Sequence, residues 1–210
     1  MATRPATSAN VRTDSPPTVR SDTRQEQLID IACRLFAQRG YEGTSLRDIA
    51  DEAKITKAAL YYHFPNKEAL YERIVLESMQ ALVDSVRDAM AAGATPVDRV
   101  RRFMQASADF LDRSRHSWIA GSNAFWSGSA SDPRAMAVYL RDEYEHLLRD
   151  SIAEAIAEGQ FRAVDPAMAG RMLLSMLNHI ARWHSPGGRL TTRQVIEQYL
   201  DMAFGGLVQP

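Results

Sequence analysis

An all-α fold is what this sequence predicts, and three observations carry the prediction. Apolar residues recur at 3.6-residue spacing along most of the chain, helix caps and breakers punctuate that pattern, and no stretch of strand length alternates apolar with polar. The 210 residues are 45% hydrophobic, enough for a real core, and the single cysteine, Cys33, excludes a disulfide framework. No apolar run reaches the roughly 20 residues of a membrane span and the polar start lacks a signal-peptide pattern, so the expected setting is the reducing cytosol. With a formal net charge of -1, any polyanion must be held by a local patch and not by a bulk field.

The elements follow in order. Residues 1–20 carry three prolines and almost no large apolar groups, the composition of a disordered arm. Arg4, Arg12 and Arg20 there either trail along a phosphate backbone or are simply solvated. Thr23 with Glu26 has capping-box spacing, and Leu28, Ile31, Ala32, Leu35 and Phe36 continue the period to Gly40, giving helix one. Ser45 caps a second helix holding Leu46, Ile49 and Ala50, and Thr56 caps a third holding Leu60 and Tyr61. "PNKEAL" opens a fourth from about Asn66 to Met90, which "GATP" at 93–96 breaks.

Five more helices are predicted at about 96–113, 116–126, 133–158, 166–184 and 192–204. Pro96, Pro133 and Pro166 fit the first helical position, where a missing N–H costs nothing, and Thr191 with Gln194 forms another capping box. The expected organisation is an arm over 1–20, a three-helix head over 21–66 and a larger bundle over 67–210.

The corner between helices two and three is the chemically suggestive feature. Two helices joined by a short turn, Ala53, Lys54 and Ile55, with a short basic second member, form the geometry that lays a recognition helix in the major groove of DNA. Ile49, Ala50, Ile55 and Leu60 pack inward in this reading, leaving Thr56, Lys57, Ala58, Ala59, Tyr61, Tyr62 and His63 to divide between core and groove. From Ala53 to Lys67 there are three lysines and no acid, although residues 21–73 as a whole hold eight basic against nine acidic groups. Lys67, at the start of helix four, is expected to add its charge to the helix dipole and make a phosphate seat. A plain solvated helical turn is the competing reading of two such helices alone.

The run "IACRLFAQRGYEGTSLRDIADEAKITKAALYYHFPNKEALY" resembles the DNA-binding domain of TetR-family transcriptional regulators over roughly forty residues, including its Gly-Tyr step, Thr-Ser entry and Leu-Tyr-x-His-Phe core. Position by position, the resemblance implies that Thr44, Arg47, Thr56, Lys57, Ala59, Tyr61, Tyr62, His63 and Lys67 face double-stranded operator DNA, with Tyr61, His63 and Lys67 on phosphates. Leu46, Ile49, Leu60 and Phe64 fall in its core. Two positions depart from the family pattern. Lys54 stands where the turn usually has Gly, which costs of order 1 kcal/mol if the residue keeps a positive φ, and Ala59 replaces a common Thr.

The resemblance further implies a ligand pocket and a dimer interface in the bundle. Val195, Tyr199 and Met202 lie along one line of the last helix and Ile196, Leu200 and Ala203 along its neighbour, so that helix needs two partners. A homodimer through the last two helices is expected, against plain core burial in a monomer. Phe103, Met104, Phe110, Trp118, Phe125, Trp126 and Tyr144 are candidates to wall a hydrophobic effector, although aromatic and Met residues at helical spacing also serve as simple core. "NHIARWHSPGGRL" at 178–190 is similar to a segment of TetR-type regulators of lipid and steroid catabolism, whose effectors are acyl-CoA thioesters. On that likeness Arg182 or Arg189 meets phosphate oxygens and Trp183 stacks on a ring.

Nothing in the sequence reads as catalytic, and no cofactor is called for. Glu143 and His146 have Glu-x-x-His spacing but no second copy, His116, His179 and His184 lack partners at metal spacing, and nucleophile-elbow and phosphate-loop motifs are missing. The function these readings predict is a ligand-responsive repressor on a pseudo-palindromic operator. The alternative is a DNA-binding dimer without a small-molecule switch, answering to a protein partner.

Overall fold

A computed structural model describes residues 18–124 and 134–207 of the chain, with side chains over 24–121 and 136–205. Nine α-helices make up the described residues: α1 (Thr18–Arg39), α2 (Leu46–Glu52), α3 (Lys57–His63), α4 (Lys67–Ala91), α5 (Pro96–Arg113), α6 (Arg115–Ala124), α7 (Arg134–Ala157), α8 (Pro166–Trp183) and α9 (Thr192–Leu207). None of them is long and apolar enough to cross a membrane.

Local chemistry sets most of these boundaries. Asn66 accepts from the Ala69 N–H at 2.7 Å to start α4, Thr95 accepts from Asp98 N–H at 3.1 Å with Pro96 behind it, and Asp165 caps α8 ahead of Pro166. The Thr191–Gln194 box is reciprocal, with N–H to side-chain bonds of 2.9 and 3.2 Å. The boundaries follow the sequence reading to within a few residues, α9 running on to Leu207 where 204 was expected, and the largest difference is at the start of α1. α1 begins at Thr18 and not after Thr23, because no breaker stands between the two and propagation is easier than a fresh nucleation. Residues 18–20, expected in the arm, are therefore helical; 1–17 lie outside the described residues. Pro133 and the end of the predicted 116–126 helix also lie outside them.

Two hydrophobic cores organise the chain. The first joins Leu28 and Phe36 of α1, Ile49 of α2 and Leu60 of α3 to Leu70 and Ile74 of α4, and it takes one residue, Ala120, from α6. The second packs Val83, Phe103, Met104, Leu111, Leu148, Ile152, Phe161, Leu173, Leu177 and Leu200 from α4, α5, α7, α8 and α9, with Phe161 in the α7–α8 connection. Tyr71 borders both cores, and its hydroxyl donates to the Ala120 carbonyl at 2.7 Å. α4 and α6 thus carry contacts from one core to the other.

Candidate nucleic-acid interface

The recognition corner is held from behind by α1. The Arg24 guanidinium donates to the Ala53 carbonyl at 3.0 Å, satisfying a carbonyl at the end of α2, and Arg34 pairs with Glu52 at 2.8 Å. Ser45 and Asp48 form a capping box, with the Asp48 N–H donating at 3.2 Å and the Ser45 N–H returning to the carboxylate at 2.8 Å. The Ser45 hydroxyl, which donates to the same carboxylate at 2.5 Å, and after it the Ser45 N–H hold the Asp48 carboxyl below the usual range. The turn falls at 53–55, and Lys54 has φ +53, the one positive-φ non-Gly residue described. The strain that a Lys in place of Gly would entail is therefore present.

α3 buries only Leu60 among its seven residues, so nearly all of it is exposed. Thr56 spends its oxygen on the Ala59 N–H at 3.2 Å, which pins the first turn. Tyr62 is 86% exposed and Tyr61 43%, with the Lys57 ammonium 5.4 Å from the Tyr61 ring centroid. Ala58 and Ala59 are exposed, small and flush with the backbone, so the helix has no bulk to keep it out of a groove. Beside it runs an open depression of about 430 Å³ whose lining includes Arg47, Lys57, Tyr61, Asn66 and Lys67. Arg47 is loosely paired with Asp51 at 3.7 Å, both well exposed, and stays available to a stronger anion.

Two placements depart from the expectation. Thr44, expected to face DNA, is 1% exposed, and its hydroxyl turns inward within 3.0 Å of the Gly40 carbonyl and 3.3 Å of the Leu35 carbonyl. Its side chain fixes the end of α1 against the entry to α2, and a buried hydroxyl needs such partners. Lys67 is not a free ammonium at the helix start: it donates to the Tyr41 carbonyl at 3.0 Å and sits 4.0 Å from the Tyr41 ring centroid. The same tyrosine donates its hydroxyl to Glu68 at 3.0 Å. Glu68's own backbone N–H and this hydroxyl hold its carboxyl below the ordinary range, so an anion lines the very depression where phosphate was expected. Sequence reasoning missed Glu68 and the anchoring role of Tyr41, which lies 26 residues from Lys67 with no local signal.

Profiles of two families match the chain: "Bacterial regulatory proteins, tetR family" over residues 28–74 and "Tetracyclin repressor-like, C-terminal domain" over 93–207. The chain belongs to the TetR family. Members of this family are transcriptional regulators that bind operator DNA, and they are not enzymes. The HTH-type transcriptional repressor KstR2 of Mycobacterium tuberculosis is 30% identical over 190 residues, covering 90% of this chain and 94% of the relative. The solved structure of that ketosteroid regulator superposes with a TM-score of 0.84 at 27% identity, covering 89% of this chain and 96% of the other. AibR, solved with isovaleryl coenzyme A and operator DNA, gives a TM-score of 0.79 at 30% identity, covering 86% of this chain and 98% of that one.

The bundle of this TetR-family chain separates the expected effector residues into two groups. Phe103, Met104, Trp118 and Tyr144 are buried. The Phe103 and Tyr144 rings lie 4.6 Å apart, and the Tyr144 hydroxyl donates to Ser107, whose own hydroxyl donates to the Phe103 carbonyl. Burial drives the Tyr144 phenol far above its ordinary value. Arg182, Trp183 and Arg189 are exposed, at or beyond the end of α8. Arg115, at the start of α6, ties that helix to the end of α8, donating to the Ala181 and His184 carbonyls at 2.8 and 2.6 Å. Phe125 and Trp126 lie outside the described residues.

On the faces of the last two helices, Val195, Ile196, Leu200 and Phe204 are buried while Met202 is 68% exposed and Tyr199 half-buried. Val195 therefore belongs to the core and not to a second apolar face. α8 exposes Met168, Met172 and Trp183. Glu143 pairs with Arg87, and the His146 Nδ1–H donates to the Asp142 carbonyl at 2.5 Å; no cluster of metal-ligating groups occurs among the described residues.

Proposed function

We propose that this chain is a homodimeric repressor released from a pseudo-palindromic operator by a small hydrophobic effector, with an acyl-CoA thioester as the effector class. The observation that carries the DNA part is α3 itself: a seven-residue helix anchored by Leu60 alone and otherwise presenting Lys57, Tyr61, Tyr62 and His63 at or near the surface, without a carboxylate of its own. In this reading α3 enters the major groove, Arg47, Thr56, Lys57, Ala59, Tyr61, Tyr62, His63 and Lys67 face DNA, and Lys67 releases Tyr41 to reach a phosphate. The division into head and bundle near residue 66 follows the same reading.

The effector assignment is supported by the likeness to KstR2 and AibR, the latter solved with isovaleryl coenzyme A. The exposed Arg182 and Trp183 meet the nucleotide end of the effector, and the acyl chain displaces packing around Phe103, Met104, Trp118 and Tyr144. The exposed methionines of α8 and Met202 of α9 cover one another across the two-fold axis. The two recognition helices then sit about 34–36 Å apart on DNA, and the effector acts by binding better to a spacing that DNA rejects.

The test is direct. Operator fragments selected from genomic DNA are bound to the chain and challenged with an acyl-CoA panel, and release by one or more members is the expected result. Tight DNA binding that no acyl-CoA disturbs, with no thermal stabilisation by any of them, favours instead the regulator without a small-molecule switch, a reading to which the filled interior around Phe103 and Tyr144 lends itself.

A further inference from the structure

The seven residues of α3 divide into three stripes around the buried Leu60. Lys57 and Tyr61, four apart, share one flank, and the Lys57 ammonium lies 5.4 Å from the Tyr61 ring centroid. Ala59 and His63 share the other flank. Ala58 and Tyr62, two residues either side of Leu60, point about 160° away from it and form an exposed crest.

Neither an amide nor a carboxylate side chain occurs on this helix. The major-groove edges of the bases differ in what they ask of a side chain. Adenine suits an amide that donates and accepts at once, and cytosine suits a carboxylate that accepts from its amino group. Guanine offers two acceptors, N7 and O6, and no donor, which fits an ammonium that can only donate; thymine offers a methyl group, which fits a small apolar side chain. α3 carries the last two kinds, in Lys57 and in its alanines. The hydroxyls of Tyr61 and Tyr62 both donate and accept, so they serve a phosphate or any base edge and discriminate little.

Lys57 is also the cation with least to give up. Of the three basic side chains that line the depression beside α3, Arg47 faces the Asp51 carboxylate at 3.7 Å and Lys67 donates to the Tyr41 carbonyl at 3.0 Å. Among the described residues Lys57 has no carboxylate or carbonyl partner and rests on the Tyr61 ring. It stands in the first turn, where a recognition helix meets base edges. Ala58 follows it directly, and consecutive Cα atoms about 3.8 Å apart match neighbouring bases about 3.4 Å apart.

Given that α3 enters the major groove, as proposed above, we infer that each operator half-site is specified by a guanine and an adjoining thymine. Lys57 donates to guanine N7 and O6, and the Ala58 methyl packs on the thymine 5-methyl group. In the groove the ammonium lies within a Debye length of the flanking phosphates, so it still displaces counterion.

Base analogues test this in an operator fragment selected from genomic DNA and bound by the full-length chain at fixed ionic strength. Replacing guanine by 7-deazaguanine removes N7 and keeps the base pair; replacing thymine by uracil removes only the methyl group. One guanine per half-site should weaken the parent about fivefold or more when so replaced, and the same replacement should leave Lys57→Met unaffected. Uracil for the neighbouring thymine should cost the parent about fourfold, the worth of one methyl group, and cost Ala58→Gly nothing. Each variant is compared with itself on two DNAs, so any loosening of α3 by glycine cancels. Lys57 is exposed, and an unchanged melting temperature of Lys57→Met confirms that its fold is intact. Equal losses in parent and Lys57→Met at every 7-deazaguanine, or equal losses in parent and Ala58→Gly at every uracil, overturn the inference while operator binding itself stands. Failure to retain any duplex sinks the DNA reading and this inference together.

Discussion

The head and the bundle of this chain are built on different principles. In the head, two seven-residue helices, each too short to be stable alone, are fixed by side chain to backbone bonds at both ends of α2 and at the start of α3: Ser45 and Asp48, Arg24 on Ala53, Thr56 on Ala59. Most of α3 is consequently left free to touch something else. In the bundle, long helices bury Phe103, Phe110, Trp118, Tyr144 and Phe204 while leaving Tyr139 and Trp183 exposed, and the buried hydroxyls of Tyr144 and Ser107 are hydrogen-bonded to each other. The head spends its sequence on an exposed surface and the bundle on an interior. Substitutions on the exposed face of α3 should therefore change binding and leave stability alone, whereas those in the bundle interior should change stability first.

The sharpest way to break that contrast lies within α3. Leu60→Ala empties the one buried position of the helix and should cost about 2–5 kcal/mol, read as a large fall in melting temperature with DNA binding lost alongside. Lys57→Ala and Tyr61→Ala, on the exposed side of the same helix, should weaken operator binding by roughly 1–3 kcal/mol and, for the lysine, lower the salt dependence by about one counterion. Melting temperatures within error of the parent are expected for both, and a matching collapse would show contact and core to have been confused.

Tyr144→Phe sharpens the bundle side. Loss of one buried hydrogen bond should cost about 1 kcal/mol in chemical denaturation, with operator affinity unchanged in the absence of effector. Lys54→Gly should go the other way and stabilise the head by roughly 0.5–1 kcal/mol, since glycine accepts the left-handed conformation that lysine holds under strain.

The smallest expected effect is chemical. Burial pushes the Cys33 thiol from 9.0 up to about 11. Because the native state holds this proton more tightly than the unfolded chain, its contribution to stability is complete below pH 9 and is lost as pH rises towards 11. Cys33 should accordingly resist alkylation in the native protein near pH 8, and rapid labelling there would mean that α6 parts from α1 far more often than their packing allows.

What the sequence determined by itself is whatever is encoded within a turn or two of chain. Caps at Ser45, Thr56, Asn66 and Thr191, the prolines at 96 and 166, the 53–55 turn and the inward set of Ile49 and Leu60 all rest on neighbours a few residues apart, and each was readable. The tertiary structure alone decided where side chains with remote partners go. Lys67 folded onto Tyr41, 26 residues away, and not towards solvent, and Val195 joined the core because α5 covers that face of α9. The same holds for Arg115, whose acceptors lie 66 and 69 residues away. Hydrogen bonds and packing between distant segments leave no periodic trace in a sequence, since either partner can be satisfied by water until folding brings the other within reach.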